Sequence, residues 1–427
     1  MAVIGIGAMQ QTTNHKLVLP FYAYASIFIV VASLILFFNT DVASKNFYNQ
    51  HTLSIVHSMA LGWGTMMIFG ASYQLLPVLI EGEIYSDFIG FLTFGFTGIG
   101  IPILIYGFYV FDYDLFLPIG AILINIGIIT YLLNVFLSSF SSKRRNIHAW
   151  YIIIATVWLL TTTIYGLLLV FNFSYDIFPK DSWNYLTVHA HLGLIGWFLL
   201  LVIGVGSRLI PMFLISKYEN LTMLRSILIL INAALILFLL IFFYSDNQLL
   251  YLIPVAIGLI GVILFGIFIK KSHKVRIRKR VDQQVNTSLI SVVMMLIPVI
   301  IVLLVLSILP ISRFQNIAIL YGFTILFGWI TAMIFGMTYK TLPFIVWNKV
   351  YKDVAVKGRT LTPKDLFSDK IYGYMLKIYL LGFVVFIIGI IVSIEYILKI
   401  GAFFLLVAAI LYLYNTSLTI LHKPKKS

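Results

Sequence analysis

Polar residues gather in short clusters along this chain, and long continuous apolar stretches run between them. Twelve such stretches can be delimited, at about 17–38, 51–79, 86–110, 115–139, 149–173, 186–213, 222–244, 248–270, 288–309, 316–345, 371–394 and 396–421. Most exceed the roughly 18 residues that mark a membrane-crossing helix. Strands of a membrane barrel would be about ten residues long and alternating, so the pattern predicts twelve transmembrane helices. Composition agrees, with 61% of residues hydrophobic and 10% charged, outside the range of soluble domains. Connections are short, which leaves a single transmembrane domain over 1–427 and no separate soluble domain. The first sixteen residues carry one lysine and no long apolar run, unlike a cleaved signal peptide.

A pattern repeats three times within this frame. His57, Gly62-Trp63, Gly70 and Pro77 recur as His191, Gly196-Trp197, Gly204 and Pro211. A third copy keeps Gly328-Trp329, Gly336 and Pro343 at the same offsets, but Phe323 replaces the histidine. The copies fall on the second, sixth and tenth stretches. Equal spacing in a twelve-helix chain predicts three pseudo-symmetric four-helix units, about 17–139, 149–270 and 288–421. Small residues permit close helix approach, the tryptophan packs, and the proline stops or kinks each helix. That scaffold survives without histidine in the third copy, so the histidines need their own account.

Basic residues set the expected orientation. Loops on the side of the N-terminus carry 22 Lys and Arg, including the run Lys270 to Arg280, against 4 (Lys45, Lys180, Arg313 and Lys399) on the opposite side. This bias predicts cytoplasmic N- and C-termini and accounts for most of the net charge of +14. Between two membrane helices the basic run reads as a topology anchor and not as a nucleic-acid site; the lipid bilayer is the expected partner.

An imidazole within a membrane must satisfy two nitrogens, so intramembrane histidine is functional by default. His15, His148, His273 and His422 fall at cytoplasmic ends or loops, where solvation is expected. His51, His57, His189 and His191 cluster toward the outer half. On a regular helix His189 and His191 point about 200° apart, and His51 and His57 about 240° apart. At most one of each pair faces a shared site, and the repeat selects His57 and His191. The competing structural reading is an imidazole bonded to a nearby carbonyl or tyrosine hydroxyl.

Imidazole pairs without thiolate or carboxylate suit haem iron or copper. The chain has no cysteine, which excludes covalent haem attachment through C-x-x-C-H, iron–sulfur ligation and disulfides. All fifteen Asp and Glu lie in loops or at helix ends, against a carboxylate-driven transporter or proton channel. Arg208, Lys340 and Lys377 fall within apolar stretches near cytoplasmic ends, where snorkelling to the interface is expected. Tyr73 and Tyr339 share one repeat offset and are placed to bond across helices.

The stretches His57-Ser-Met-Ala-Leu-Gly-Trp63 with Tyr73-Gln-Leu-Leu-Pro77, and His189-Ala-His-Leu-Gly-Leu-Ile-Gly-Trp197 with Arg208-Leu-Ile-Pro-Met212, resemble the haem–copper oxidase subunit I superfamily. The similarity is to short bacterial cbb3-type and NnrS-type members. The resemblance implies an all-α polytopic fold of twelve helices in three arcs, a prokaryotic inner (plasma) membrane location, and an electron donor or partner subunit. It implies His57 as a haem ligand on the second helix, and His191, or else His189, as the metal-binding histidine of the sixth. His51 is a further metal-ligand candidate.

The departures are equally informative. The family's full chemistry needs about six intramembrane histidines, and this chain offers four: the tenth stretch has only Phe323 at the histidine position and the seventh has no His-His pair. The leading expectation is therefore a haem b or copper protein without complete oxidase chemistry, in nitric oxide or haem/copper metabolism. Two alternatives are a permease for metal or haem, and an oxidoreductase (terminal oxidase or nitric oxide reductase) completed by a partner.

Overall fold

A computed structural model of the protein describes residues 14–142, 146–308, 314–352 and 361–424. Twelve helices are long and apolar enough to cross a membrane: α1 (His15–Phe38), α2 (Gln50–Ile80), α3 (Asp87–Val110), α4 (Phe116–Ser141), α5 (Ile147–Tyr175), α6 (Ser182–Leu214), α7 (Leu221–Tyr244), α8 (Gln248–Lys274), α9 (Gln283–Leu306), α10 (Asn316–Tyr351), α11 (Asp369–Val392) and α12 (Glu395–Ile420). Among the described residues there is no sheet, only one isolated bridge between Ser216 and Arg276. The all-α polytopic expectation holds. Of the basic residues used for orientation, Lys143, Arg144, Arg145, Arg313, Lys357, Arg359, Lys425 and Lys426 lie outside the described residues.

Packing follows the repeat. The first helix of each set of four packs on the second (α1 on α2, α5 on α6, α9 on α10), and the third packs on the fourth. Each fourth helix meets the first of the next set: α4 meets α5, α8 meets α9, and α12 returns to α1 to close the ring. Three pseudo-symmetric arcs result, with α2, α6 and α10 inside. Burial agrees for α2 and α10, which are 78% and 67% buried over their most apolar windows, while α6 stands at 50%, level with α1. Large apolar side chains such as Ile229, Val293 and Tyr374 are exposed on the periphery, where lipid replaces water.

The repeat glycines allow this close contact. A methyl group added at Gly70 or Gly204 would run into Phe21 of α1 or Tyr151 of α5, and one at Gly336 into Ser288 and the Gln284 carbonyl of α9. All three are the neighbours expected of small residues at helix interfaces. The prolines behave less uniformly. After Pro77 and Pro211 the chain turns left-handed at Glu81 (φ 54°) and Ile215 (φ 53°), and Gly82 and Ser216 N–H groups bond back to the proline carbonyls, closing a Schellman-type end. Pro343 ends nothing: α10 runs on to Tyr351, beyond the expected end near 345. Contacts hold the extra turns, with Tyr351 Oη 2.9 Å from His422 Nε2 and Trp347 Nε1 donating to the Leu361 carbonyl.

One feature of the central helices is absent from the expectations. Directly after the repeat's opening residue each widens into i→i−5 bonding, over Ser58–Thr65, Leu192–Leu199 and Thr324–Ile330. Wide turns of this kind are rare and concentrate at functional sites. In α10 the backbone leaves helical geometry at Gly328 (φ −90°, ψ −110°). The freed carbonyls of Phe327 and Gly328 accept from Tyr379 Oη at 2.7 and 2.9 Å, as backbone at membrane depth requires.

Candidate metal centre

The residue that opens each repeat occupies the same kind of slot. His57 stacks on Phe108 of α3 (4.5 Å between centroids, 21°), His191 tilts against Phe238 of α7 (4.7 Å, 33°), and Phe323 stacks on Phe386 of α11 (4.5 Å, 28°). An aromatic ring satisfies the slot whatever its chemistry, which is why the third copy tolerates phenylalanine. What distinguishes the first two copies is the imidazole nitrogens.

His57 Nδ1 lies 2.8 Å from the Leu53 carbonyl and His191 Nδ1 2.8 Å from the Thr187 carbonyl, each four residues back on its own helix. A carbonyl only accepts, so each neutral ring carries its proton on Nδ1 and leaves a lone pair on Nε2. This is the tautomer a histidine presents to a metal, with Nδ1–H held by a carbonyl behind it. His189 reaches the same state by another route: its Nδ1 is 3.1 Å from the Thr162 carbonyl of α5. One turn along α5 stands Gly166, where an added Cβ would come within 2.7 Å of His189 Cε1. The seat for His189 is therefore made of one carbonyl and one missing side chain.

The lone pairs differ in what they meet. Tyr321 Oη of α10 lies 3.3 Å from His191 Nε2 and donates to it, with ring centroids 5.8 Å apart. His191 thus fits the structural reading, carbonyl on one nitrogen and tyrosine on the other. His57 and His189 are neighbours instead, their rings near parallel with centroids 6.1 Å apart and planes 26° apart. That is too far for ring contact. The separation is of the order that two imidazoles sharing one metal with bonds of about 2 Å would span. Among the described residues neither Nε2 of this pair has a hydrogen-bond partner.

The helix wheel correctly separates His189 from His191, but the structure sets the non-repeat member, His189, beside His57. The repeat-equivalent His191 faces α10. His51 stands apart, against Tyr109 (4.9 Å between centroids), with Nε2 3.5 Å from Gln50 and a buried Nδ1 lacking a hydrogen-bond partner. No group of three or more potential metal-ligating side chains occurs among the described residues. Phe108, Gly166 and Tyr321 were not legible as site residues, because their roles depend on how neighbouring helices are rotated.

One other sequence reading changes, and one gains a partner. His148, expected to be solvated, is buried, its Nδ1 3.0 Å from the Gly204 carbonyl. Lys340 is half-buried and reaches the N-terminal end of α9, where it is ion-paired to Asp282, which also binds Arg278 at 2.9 Å and Lys364 at 3.0 Å. Arg208 and Lys377 are exposed, as snorkelling requires. Tyr73 and Tyr339 do bond across helices, to Thr93 of α3 at 3.1 Å and Thr416 of α12 at 3.2 Å.

No family model matches this chain, and no curated protein does. Its fold is similar to that of a heme-copper terminal oxidase whose dimer was solved by cryo-EM. The TM-score is 0.65 over 96% of this chain and 85% of that one, at 11% sequence identity. At that identity the likeness shows the fold alone. It bears out the expected twelve-helix, subunit I-like fold.

Proposed function

We propose that this protein is a membrane cytochrome on the haem–copper oxidase subunit I scaffold, with one haem b held between α2 and α6 by His57 and His189. The observation that carries this reading is the neighbouring pair of half-buried imidazoles, 6.1 Å between centroids, each with Nδ1 tied to a carbonyl and Nε2 without a hydrogen-bond partner among the described residues. The donor set fits: two neutral nitrogens without thiolate or carboxylate suit haem iron, and Cu(I) as the second choice. Without cysteine, the haem is non-covalent. When bound and held by both histidines, a haem supplies reversible one-electron transfer. No group of three or more His, Asp or Glu able to hold a second metal occurs among the described residues. The chain is thus read as an electron carrier needing a donor and an acceptor, not as a terminal oxidase or nitric oxide reductase. His57, His189, Thr162 and Gly166 hold and orient the centre, and Phe108 covers one face of His57.

The 22-to-4 bias of basic residues supports cytoplasmic termini in a prokaryotic plasma membrane, which puts the histidine pair in the outer half. The permease reading loses ground along the axis. Between α2, α6 and α10 lies a cavity of about 90 Å³ lined by Met67, Leu75, Val205, Met333 and Met337. Hydroxyls at its wall bond one another, as Tyr22 does Thr341 at 2.9 Å, and offer no path to an ion.

A reduced-minus-oxidised spectrum with metal analysis on purified protein tests the proposal. One b-type haem per chain is expected, lost in His57→Ala and in His189→Ala but kept in His191→Ala. Stoichiometric copper without haem would select the Cu(I) reading. A colourless, metal-free protein unaffected by all three substitutions would overturn both.

A further inference from the structure

The cavity of about 90 Å³ between α2, α6 and α10 is built by the repeat itself. Fifteen of its eighteen lining residues form five complete triplets, at 10, 11, 14, 15 and 18 positions past the residue that opens each copy. That spacing is one face of a helix, so each inner helix turns the same stripe to the pseudo-threefold axis. None of the eighteen is exposed. At 14 and 15 positions stand Ala71, Val205 and Met337, then Ser72, Gly206 and Thr338. Alanine, serine and glycine make up half of that ring. Helices held apart by bulkier triplets on either side relax only partly over small residues, and a void is left.

The wall gives water little to hold. Ser72 Oγ donates to the Phe69 carbonyl at 3.0 Å and accepts from Tyr131 Oη at 2.7 Å. Thr338 Oγ1 donates to the Ile334 carbonyl at 2.8 Å and accepts from Tyr412 Oη at 2.9 Å. A hydroxyl has one proton, and both are spent on their own helices. An internal water needs two to four polar partners; an apolar cavity without them stays dry and takes apolar guests. A guest restores the dispersion contacts that an empty void forfeits. Met67, Met333 and Met337 line the same space, and their flexible, polarizable side chains fit irregular gaps. Volume sets the size of the guest. An engineered cavity of about 150 Å³ accepts benzene or xenon, and this one has room for the smaller of the two.

We infer that the axial cavity binds one small apolar molecule of dissolved-gas size, the class of xenon and the diatomic gases. Ala71 stands fourteen residues beyond His57 on α2, about 20 Å along the helix. The site is therefore separate from the histidine pair, and the inference does not rest on a haem being bound there.

Crystals of the full chain pressurised with xenon test it, with anomalous scattering to locate the gas. One xenon per chain is expected on the axis, beside Ala71 and Val205. Ala71→Leu fills the space and should lower its occupancy about tenfold. Ala71→Val covers the case in which leucine overpacks the ring and prevents folding; it should lower occupancy several-fold. Benzene soaked into wild-type crystals should leave the axis empty, and axial benzene would overturn the size assigned. No axial xenon in wild type, ordered water on the axis, or equal occupancy in wild type and the filled variants would each overturn the proposal.

Discussion

At the scale of single residues, the candidate centre depends on an absence as much as on its ligands. His189 is seated by the Thr162 carbonyl and by the space over Gly166. An alanine there would put a carbon 2.7 Å from the imidazole, so the ring must turn away to make room. Gly166→Ala is therefore expected to swing His189 off its line to His57 and lower bound haem several-fold, with helix content unchanged. Retained haem would be shifted in its spectrum. Full, unshifted haem loading in Gly166→Ala would remove Gly166 from the site. His57 was legible in the sequence, through a histidine kept in two repeats and lost in the third. His189 was legible only as a candidate, because choosing between it and His191 requires the relative rotation of α2, α5 and α6.

At the scale of elements, the spans were legible and the helix interiors were not. Apolar length alone locates all twelve helices, since lipid forces the backbone to bond within each one. The widened turns after His57, His191 and Phe323 leave no mark on hydropathy, as they shift which carbonyl each N–H meets and not which residues are apolar. The far end of α10 escaped for a related reason: the proline was read as a stop, while tertiary contacts carried the helix past it. Before the proline, α10 is also tied to Asp282 through Lys340. Burial pushes the Asp282 carboxyl upward, but hydrogen bonds from Lys340 and Lys364, with the charges of Lys340 and Arg278, hold it below the usual carboxylate range. A group lowered on folding stabilises above its unfolded pKa of about 3.9 and loses that contribution as pH falls through its folded pKa. The clamp should thus be intact from neutral pH to about 4 and release only below that. Asp282→Asn leaves the half-buried Lys340 beside a neutral amide, a loss on the order of 1–3 kcal/mol. The variant should melt lower at pH 7 and lose its difference from wild type in strong acid. A wild type that loses the clamp's contribution already at pH 6 would contradict the assignment.

At the scale of the whole molecule, the three central helices are cross-tied by their repeat tryptophans. Trp63 Nε1 of α2 donates to Thr331 of α10 at 3.2 Å, and Trp197 Nε1 of α6 donates to Thr65 of α2 at 3.1 Å. Each donor sits at the same repeat offset, and each acceptor two residues further along its own repeat. Continuing the rotation, Trp329 of α10 should meet position 199 of α6, where the chain has leucine. Two ties of a threefold ring are made, and the third is chemically impossible with this sequence. The repeat made the symmetry legible, but not this break, since offset eight lay outside the shared pattern. A buried indole N–H that loses its acceptor costs about 1 kcal/mol, while trimming an indole to a phenyl ring costs packing at all three sites. Trp63→Phe and Trp197→Phe should therefore each destabilise by about 1 kcal/mol more than Trp329→Phe, read as melting temperatures in one detergent. Leu199→Thr supplies the missing acceptor, so adding it to wild type should offset the cost of burying its hydroxyl, whereas adding it to Trp329→Phe leaves that hydroxyl untied. If Leu199→Thr lowers the melting temperature equally in both backgrounds, the third helix does not share the register of the other two.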